Sequence, residues 1–229
     1  MTLEISFSDL MASSTHDMKN SLNIQINELE KIAGLSLDRG DTQVFEDLGR
    51  MIYQANRMNS NLIQLLSLYK MGKAVYPIEF AEQNIAEVIQ EVMAQNISIM
   101  KFKGITVTVD CDPELYWHID RDLITGVLIN AINNAYNYTG DKIRVAAGLN
   151  DQLLEIRVED NGRGYPPGML QKDSVSASGS SNFLSGSTGL GFYFSSQVAQ
   201  LHRNGERMGS LTIENGGAYG GGCFVVKLP

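Results

Sequence analysis

Apolar positions recur with a helical period up to about residue 70, and with a mixture of alternating and helical periods beyond it. Over residues 7–33, Met11, Met18, Leu22, Ile26, Leu29 and Ala33 share one stripe at about 100° per residue, which predicts a helix with a single packing face. Gly34 and the polar residues 35–42, which include Asp38-Arg39-Gly40-Asp41, predict a turn. A second stripe of Val44, Leu48, Met51, Ala55, Met58, Leu62, Leu65 and Tyr69 predicts a partner helix, so the segment reads as an antiparallel helical hairpin. Two such helices bury only one face each, and the expected remedy is a homodimer whose two hairpins form a four-helix bundle.

The composition shifts at Met71-Gly72-Lys73-Ala74-Val75-Tyr76-Pro77, a candidate linker between domains at residues 1–72 and 73–229. Beyond it the pattern predicts a short strand at 78–80, a helix at 84–100, a strand at 105–109 and a helix at 120–138. Strands at 143–149 and 153–159 then form a hairpin around Asn150-Asp151. A helix at 191–201 and strands at 211–214 and 223–228 complete the series. Helices gathered on one face of a mixed sheet make the expected fold class α+β: the helical hairpin followed by a two-layer α/β sandwich. The Ser- and Gly-rich residues 174–187 read as a loop.

Composition narrows the function. The chain has 229 residues and a formal net charge of −8, which argues against general nucleic-acid binding. No apolar run approaches the roughly 20 residues that span a bilayer, so no membrane span is expected in this chain. Cys111 and Cys223 lack disulfide or metal-ligand spacing and read as reduced thiols of a cytoplasmic protein.

Four stretches carry candidate chemistry. His16 lies about 120° from the centre of its helix's apolar stripe, and Asn20 shares that outward face. Asp17 is placed to take or orient the proton of one ring nitrogen, leaving the other as a nucleophile near neutral pH; a solvent-facing histidine of no consequence is the other reading. Asn130 and Asn134 share a helix face, where amide oxygens suit Mg²⁺ and NH₂ groups suit phosphate, the alternative being a plain polar face. Asp160-Asn161-Gly162-Arg163-Gly164 closes the alternating run Leu154, Ile156, Val158, either as a strand end opening into a nucleotide pocket or as an ordinary turn. Thr188-Gly189-Leu190-Gly191 opens the next helix and offers backbone N–H groups to phosphate. The Gly-Lys-Ser/Thr of a Walker loop is absent, so a nucleotide must be held in another way.

His16-Asp17-Met18-Lys19-Asn20-Ser21-Leu22 resembles the H-box of the sensor histidine kinases of two-component systems, and residues 130–139, 160–164 and 188–191 resemble the N-box and two glycine boxes of that family's ATP-binding domain. The resemblance covers nearly the whole chain. It implies that His16 is phosphorylated from ATP, that Asp17 is a general base, and that Asn20 positions water for dephosphorylating a response-regulator receiver domain. It also implies that Asn130 is the Mg²⁺ ligand, that Asn134 contacts the phosphates through or beside the metal, and that Tyr138 stacks near the adenine. Asp160, with Gly162 and Gly164, would receive the adenine amino group, and Thr188, Gly189, Leu190 and Gly191 would receive phosphate.

This chain departs from the family at Ser21, where proline is usual, and at Asn137, where lysine usually meets phosphate charge. It departs again in the lid at 165–187, which lacks the paired phenylalanines of an F-box and has Phe183 alone in its middle. Arg163 and Lys172 are the nearby cations, with an exposed solvated role as the simpler reading. Related ATPases place a water-activating glutamate where Asn130 stands, and its absence disfavours an ATP-driven clamp. The expected activity is histidine autophosphorylation with transfer to a regulator aspartate, together with a reverse phosphatase activity. A phosphorelay adaptor or pseudokinase is the alternative. The chain would be the catalytic part of a longer sensor, or a kinase signalled by a separate protein.

Overall fold

The computed structural model describes residues 7–73, 75–170 and 189–229, without the side chains of 7–12, 16, 98 and 99. The chain forms two compact units, Met1–Pro77 and Ile78–Pro229.

The first unit is a pair of packed helices, α1 (Phe7–Asp38) and α2 (Thr42–Gly72). Gly34 does not end α1, as its sequence predicted, because Ser36 in the next turn is buried and returns its hydroxyl to the Ala33 carbonyl at 2.8 Å. The helix stops at Gly40, whose φ of +74° suits glycine. There the Gly40 N–H donates to Leu37 O and the Asp41 N–H to Ser36 O, both at 2.9 Å, the paired bonds of a Schellman ending. Asp41 then caps α2, its carboxylate accepting from the Val44 N–H at 3.2 Å. Three residues thus finish one helix and start the next.

Ile26 and Ala33 of the predicted α1 stripe are buried, whereas Met18 is exposed. On α2 the buried positions are Gly49, Ile52, Tyr53, Ala55 and Gln64, while Met51, Met58 and Leu65 of the predicted stripe stay 55%, 53% and 48% exposed. The helix therefore carries two apolar seams. One is covered by α1, and the other runs at seven-residue steps through Val44, Met51, Met58 and Leu65.

The second unit runs β1 (Ala81–Asn84), α3 (Ile85–Phe102), β2 (Thr106–Cys111), β3 (Tyr116–Ile119), α4 (Arg121–Tyr138), β4 (Lys142–Asn150), β5 (Leu153–Asp160), α5 (Pro167–Leu170), α6 (Gly189–Leu201), β6 (Arg203–Asn204), β7 (Arg207–Met208), β8 (Ser210–Gly216) and β9 (Gly221–Leu228). The main sheet has the order β2-β4-β5-β9-β8; β2 and β4 are parallel and the other neighbours antiparallel, a mixed sheet. Alternation along β5 sends Leu154, Ile156 and Val158 into a core shared with Ile124, Val127, Leu128 and Ala131 of α4. The opposite face carries an ion-pair network: Glu159 meets Arg144 at 2.7 Å and Arg157 at 3.1 Å, and Arg157 also reaches Glu155 and Glu214.

Two predicted elements move. The strand expected at 78–80 is not there, because the Glu79 N–H goes to the Asp120 carboxylate at 3.1 Å and Phe80 packs edge-on against His202; pairing begins only at Ala81, opposite Ile119 of β3. The β4–β5 turn falls on Asp151 and Gln152, with φ of +53° and +63°, one residue beyond the expected pair. The small sheets β1–β3 and β6–β7 were not anticipated.

Candidate functional site

α4 builds one wall of the site. Its apolar residues Leu123, Ile124, Val127, Leu128, Ala131, Ile132, Ala135 and Tyr136 are buried, which turns the asparagine-rich side of the helix away from the core. Asp120 fixes where the helix starts. Its carboxylate accepts from the Leu123 N–H at 3.0 Å, and its own N–H donates to His202 Nε2 at 3.1 Å. His202 Nδ1 faces the Val198 carbonyl at 2.8 Å and so carries the proton, which ties the start of α4 to the end of α6. Burial lowers the pKa of His202 from its ordinary value, against the opposing effects of that carbonyl and of Asp120.

The opposite wall is the end of β5. Asp160 is buried, and its Oδ1 accepts from the Gly162 N–H at 2.7 Å and the Gly222 N–H at 3.2 Å. Glycine is required here by space as much as by conformation. A Cβ on Gly162 would lie 1.9 Å from the Tyr138 carbonyl oxygen, and one on Gly222 would lie 2.9 Å from Asp160 Oδ2. Gly164 has a φ of +75°, and a Cβ there would lie 2.7 Å from Asn215 Oδ1. Between the walls lies a cavity of about 90 Å³ lined by Asn134, Tyr138, Asp160, Arg163, Tyr165 and Phe192, among others. Arg163 lies over the Tyr138 ring at 5.5 Å, and the Asn134 NH₂ donates to the Tyr165 hydroxyl at 2.9 Å. The Oδ1 atom of Asn134 is buried with no hydrogen-bond partner among the described residues. Burial, with a smaller contribution from the Asp160 charge, raises the pKa of the Tyr165 phenol.

α6 approaches α4 through Gly191, where a Cβ would lie 2.0 Å from Asn130 Oδ1. The Asn130 NH₂ donates to the buried Ser195 hydroxyl at 3.0 Å. Gly189 is buried and Leu190 half-buried, while Thr188 lies outside the described residues, as do Lys172, Phe183 and most of the expected lid. Asn137 is exposed, and its NH₂ returns to the Asn133 carbonyl at 3.0 Å. In the first unit His16 lies on α1, its side chain outside the described set; Asp17 and Asn20 on the same helix are exposed.

Asn134, Tyr138, Asp160 and Gly164, from two separate sequence stretches, thus line one cavity, and Asn130 and Gly191 abut each other. Sequence reasoning missed Tyr165, Phe192, Asn215, Ser195 and Gly222. Two signals were available: Tyr165 directly follows the first glycine cluster, and Gly220-Gly221-Gly222 opens a strand where side chains would ordinarily pack.

Comparison with known proteins accounts for this arrangement. Residues 119–229 match the family of histidine kinase-, DNA gyrase B-, and HSP90-like ATPases. Sensor protein SrrB of Staphylococcus aureus is 23% identical over 232 residues, covering 96% of this chain and 38% of the relative, so the chain spans under half the length of the curated relatives it matches. The catalytic domain of histidine kinase ThkA, in a nucleotide-free form, superposes with a TM-score of 0.54 at 25% identity, covering 66% of this chain and 96% of that one. Histidine kinase AdeS of Acinetobacter baumannii shares the fold with a TM-score of 0.57 at 18% identity, over 89% of this chain and 96% of its own. Over nearly its whole length the chain is thus similar to two-component sensor histidine kinases, and within its C-terminal unit residues 119–229 carry the match to the histidine kinase-, DNA gyrase B-, and HSP90-like ATPases.

Proposed function

We propose that this chain is a histidine kinase core that phosphorylates His16 from Mg²⁺–ATP and passes the phosphoryl group to an aspartate of a response-regulator receiver domain. The observation that carries the reading is the cavity in which Asn134, Tyr138 and Asp160 converge, with the Asp160 carboxylate held by two backbone N–H groups. Such a carboxylate is an acceptor with room for one more donor, which suits the exocyclic amino group of adenine. Tyr138 is the flat apolar surface for the base. Gly189, Leu190 and Gly191 at the start of α6, with Thr188 before them, are assigned to the phosphates.

Mg²⁺ fits as a cation that arrives with the triphosphate. Among the described residues no group of three or more His, Cys, Asp or Glu could hold a metal by itself. The amide oxygen of Asn130 is a hard donor suited to one position on an ion whose others are phosphate and water, and the partnerless Oδ1 of Asn134 is a second acceptor on the same helix. Bound there, the ion would neutralise triphosphate charge.

In the transfer itself, one His16 ring nitrogen attacks the γ-phosphorus in line as the bond to the bridging β,γ-oxygen breaks. ADP leaves with that electron pair, and Asp17 receives the imidazole proton. Asn20 is assigned to orient water in the reverse, phosphatase reaction. Catalysis then rests on positioning and charge neutralisation.

Residues 1–72 would serve dimerisation and phosphotransfer, and residues 73–229 nucleotide binding. The seam through Val44, Met51, Met58 and Leu65, exposed among the described residues, supports a homodimer with a four-helix core. Among the described residues no helix is long and apolar enough to cross a membrane; a cytoplasmic location is part of the proposal. One observation favours a second reading, a phosphorelay adaptor or pseudokinase: Asn137 brings no cation to the site and turns its amide onto its own helix.

Incubation with γ-labelled ATP and Mg²⁺ tests the proposal. Wild type should acquire acid-labile label that chases to a receiver domain, and His16→Gln should acquire none. An unlabelled wild type that still accepts phosphate from a phosphorylated receiver would establish the adaptor instead.

A further inference from the structure

Tyr165 is held from both sides. Its N–H donates to Asn215 Oδ1 at 2.6 Å, and its carbonyl accepts from Asn215 Nδ2 at 2.9 Å, so one side chain near the end of β8 imitates a strand pairing around it. Its ring stands edge-on to Phe192 with centroids 6.1 Å apart, and its hydroxyl receives the Asn134 NH₂. An amide has one donor end and one acceptor end, so fixing the first fixes the second. With its NH₂ given to Tyr165, Asn134 keeps Oδ1 as a buried acceptor on a cavity wall, without a partner among the described residues. A buried carbonyl oxygen left in that state has lost its water without a replacement donor, which is unfavourable. It is a place for a donor or a cation to bind.

We infer that Tyr165 is a positioning residue: its hydroxyl sets the orientation of the Asn134 amide so that Oδ1 meets the metal-bound end of the nucleotide. The inference rests on the proposal that this cavity takes Mg²⁺–ATP. A phenol serves this purpose better than an aliphatic side chain of similar bulk, because the aliphatic residue would leave the NH₂ as a second buried orphan and free the amide to turn over. A phenol hydroxyl has both an acceptor and a donor, so it can accept from Asn134 and still offer its own hydrogen to the cavity.

The test is a binding cycle by calorimetry on the full chain, with wild type, Tyr165→Phe, Asn134→Ala and the double variant. The titrants are ATP with Mg²⁺, ATP with a chelator, and adenosine. Tyr165→Phe should weaken Mg²⁺–ATP binding about tenfold. Its affinities for adenosine and for metal-free ATP should change less than about twofold, and in the Asn134→Ala background it should have no further effect. Adenosine weakened as strongly as Mg²⁺–ATP would overturn the inference, as would additive losses in the double variant or a Tyr165→Phe protein that binds like wild type. A wild type that binds none of the three titrants would overturn the nucleotide reading itself, a distinct result. Should Tyr165→Phe not fold, Tyr165→Met, which fills similar volume flexibly and also lacks the hydroxyl, takes its place in the cycle with the same expected values.

Discussion

At the scale of the residue, the site is made as much by side chains that are missing as by those that are present. Gly162 and Gly191 both sit in glycine clusters, yet substitution should act differently at each. A methyl group on Gly162 would meet the Tyr138 backbone carbonyl, which cannot step aside without distorting the end of α4. Gly162→Ala should therefore destabilise the protein by about 3 kcal/mol, in the range of overpacked interiors, with a matching fall in denaturant midpoint. The methyl of Gly191→Ala would first meet the side chain of Asn130, which can rotate away at the cost of its bond to Ser195. Its stability loss should be about 1 kcal/mol, while Mg²⁺–ATP binding falls by tenfold or more. Equal stability losses in the two variants, or unchanged binding in Gly191→Ala, would refute this division of roles. Sequence reasoning found both glycines from their spacing. It had no means of telling which one faces backbone and which faces an asparagine, because that depends on elements more than 20 residues away in the chain.

At the scale of the element, legibility followed locality. α3 and α4 were readable because each opens on its own cap, Asn84 accepting from the Glu87 N–H and Asp120 from the Leu123 N–H, both at 3.0 Å. The β4–β5 hairpin was readable from strict alternation. β1 and β3 were not: Ala81-Glu82-Gln83-Asn84 has no apolar period, and it pairs only because Tyr116–Ile119 is brought opposite it across the length of α3.

The same kind of distant tie gives His202 its role between α4 and α6, and pH should reveal it. Burial depresses its folded pKa, so between that value and the unfolded value of about 6.5 the unfolded chain binds the extra proton and the folded one does not. Stability is therefore complete above about pH 6.5 and declines as the pH falls through that window. The carboxylates with depressed pKa values, Glu155 and Glu159, lose their contribution only further down, below the ordinary carboxylate range. Thermal midpoints recorded from pH 7.5 to 5.5 should fall in wild type and stay nearly level in His202→Asn; parallel curves would remove His202 as the cause.

At the scale of the whole molecule, the expectation of a helical hairpin followed by a sandwich was readable from the change of period near residue 70. What periodicity did not convey is that α2 has two apolar seams and that its buried one, through Ile52 and Tyr53, shares only Ala55 with the expected stripe. If the exposed seam is the contact with a second copy, the double variant Met51→Glu/Met58→Glu should sediment as a monomer while keeping its helix content. Each buried carboxylate would cost the pair several kcal/mol. A dimer that survives both changes would place the contact elsewhere.

The sheet order has a consequence for how the protein is made. β9 lies between β5 and β8 and bonds to both, although it is the last of the strands to leave the ribosome. The helical hairpin needs only near neighbours and can fold while synthesis continues. The sandwich must wait with the inner edge of β5 bare until β9 arrives, and during that interval the nascent chain presents an unpaired strand edge that chaperones, or another nascent chain, can capture.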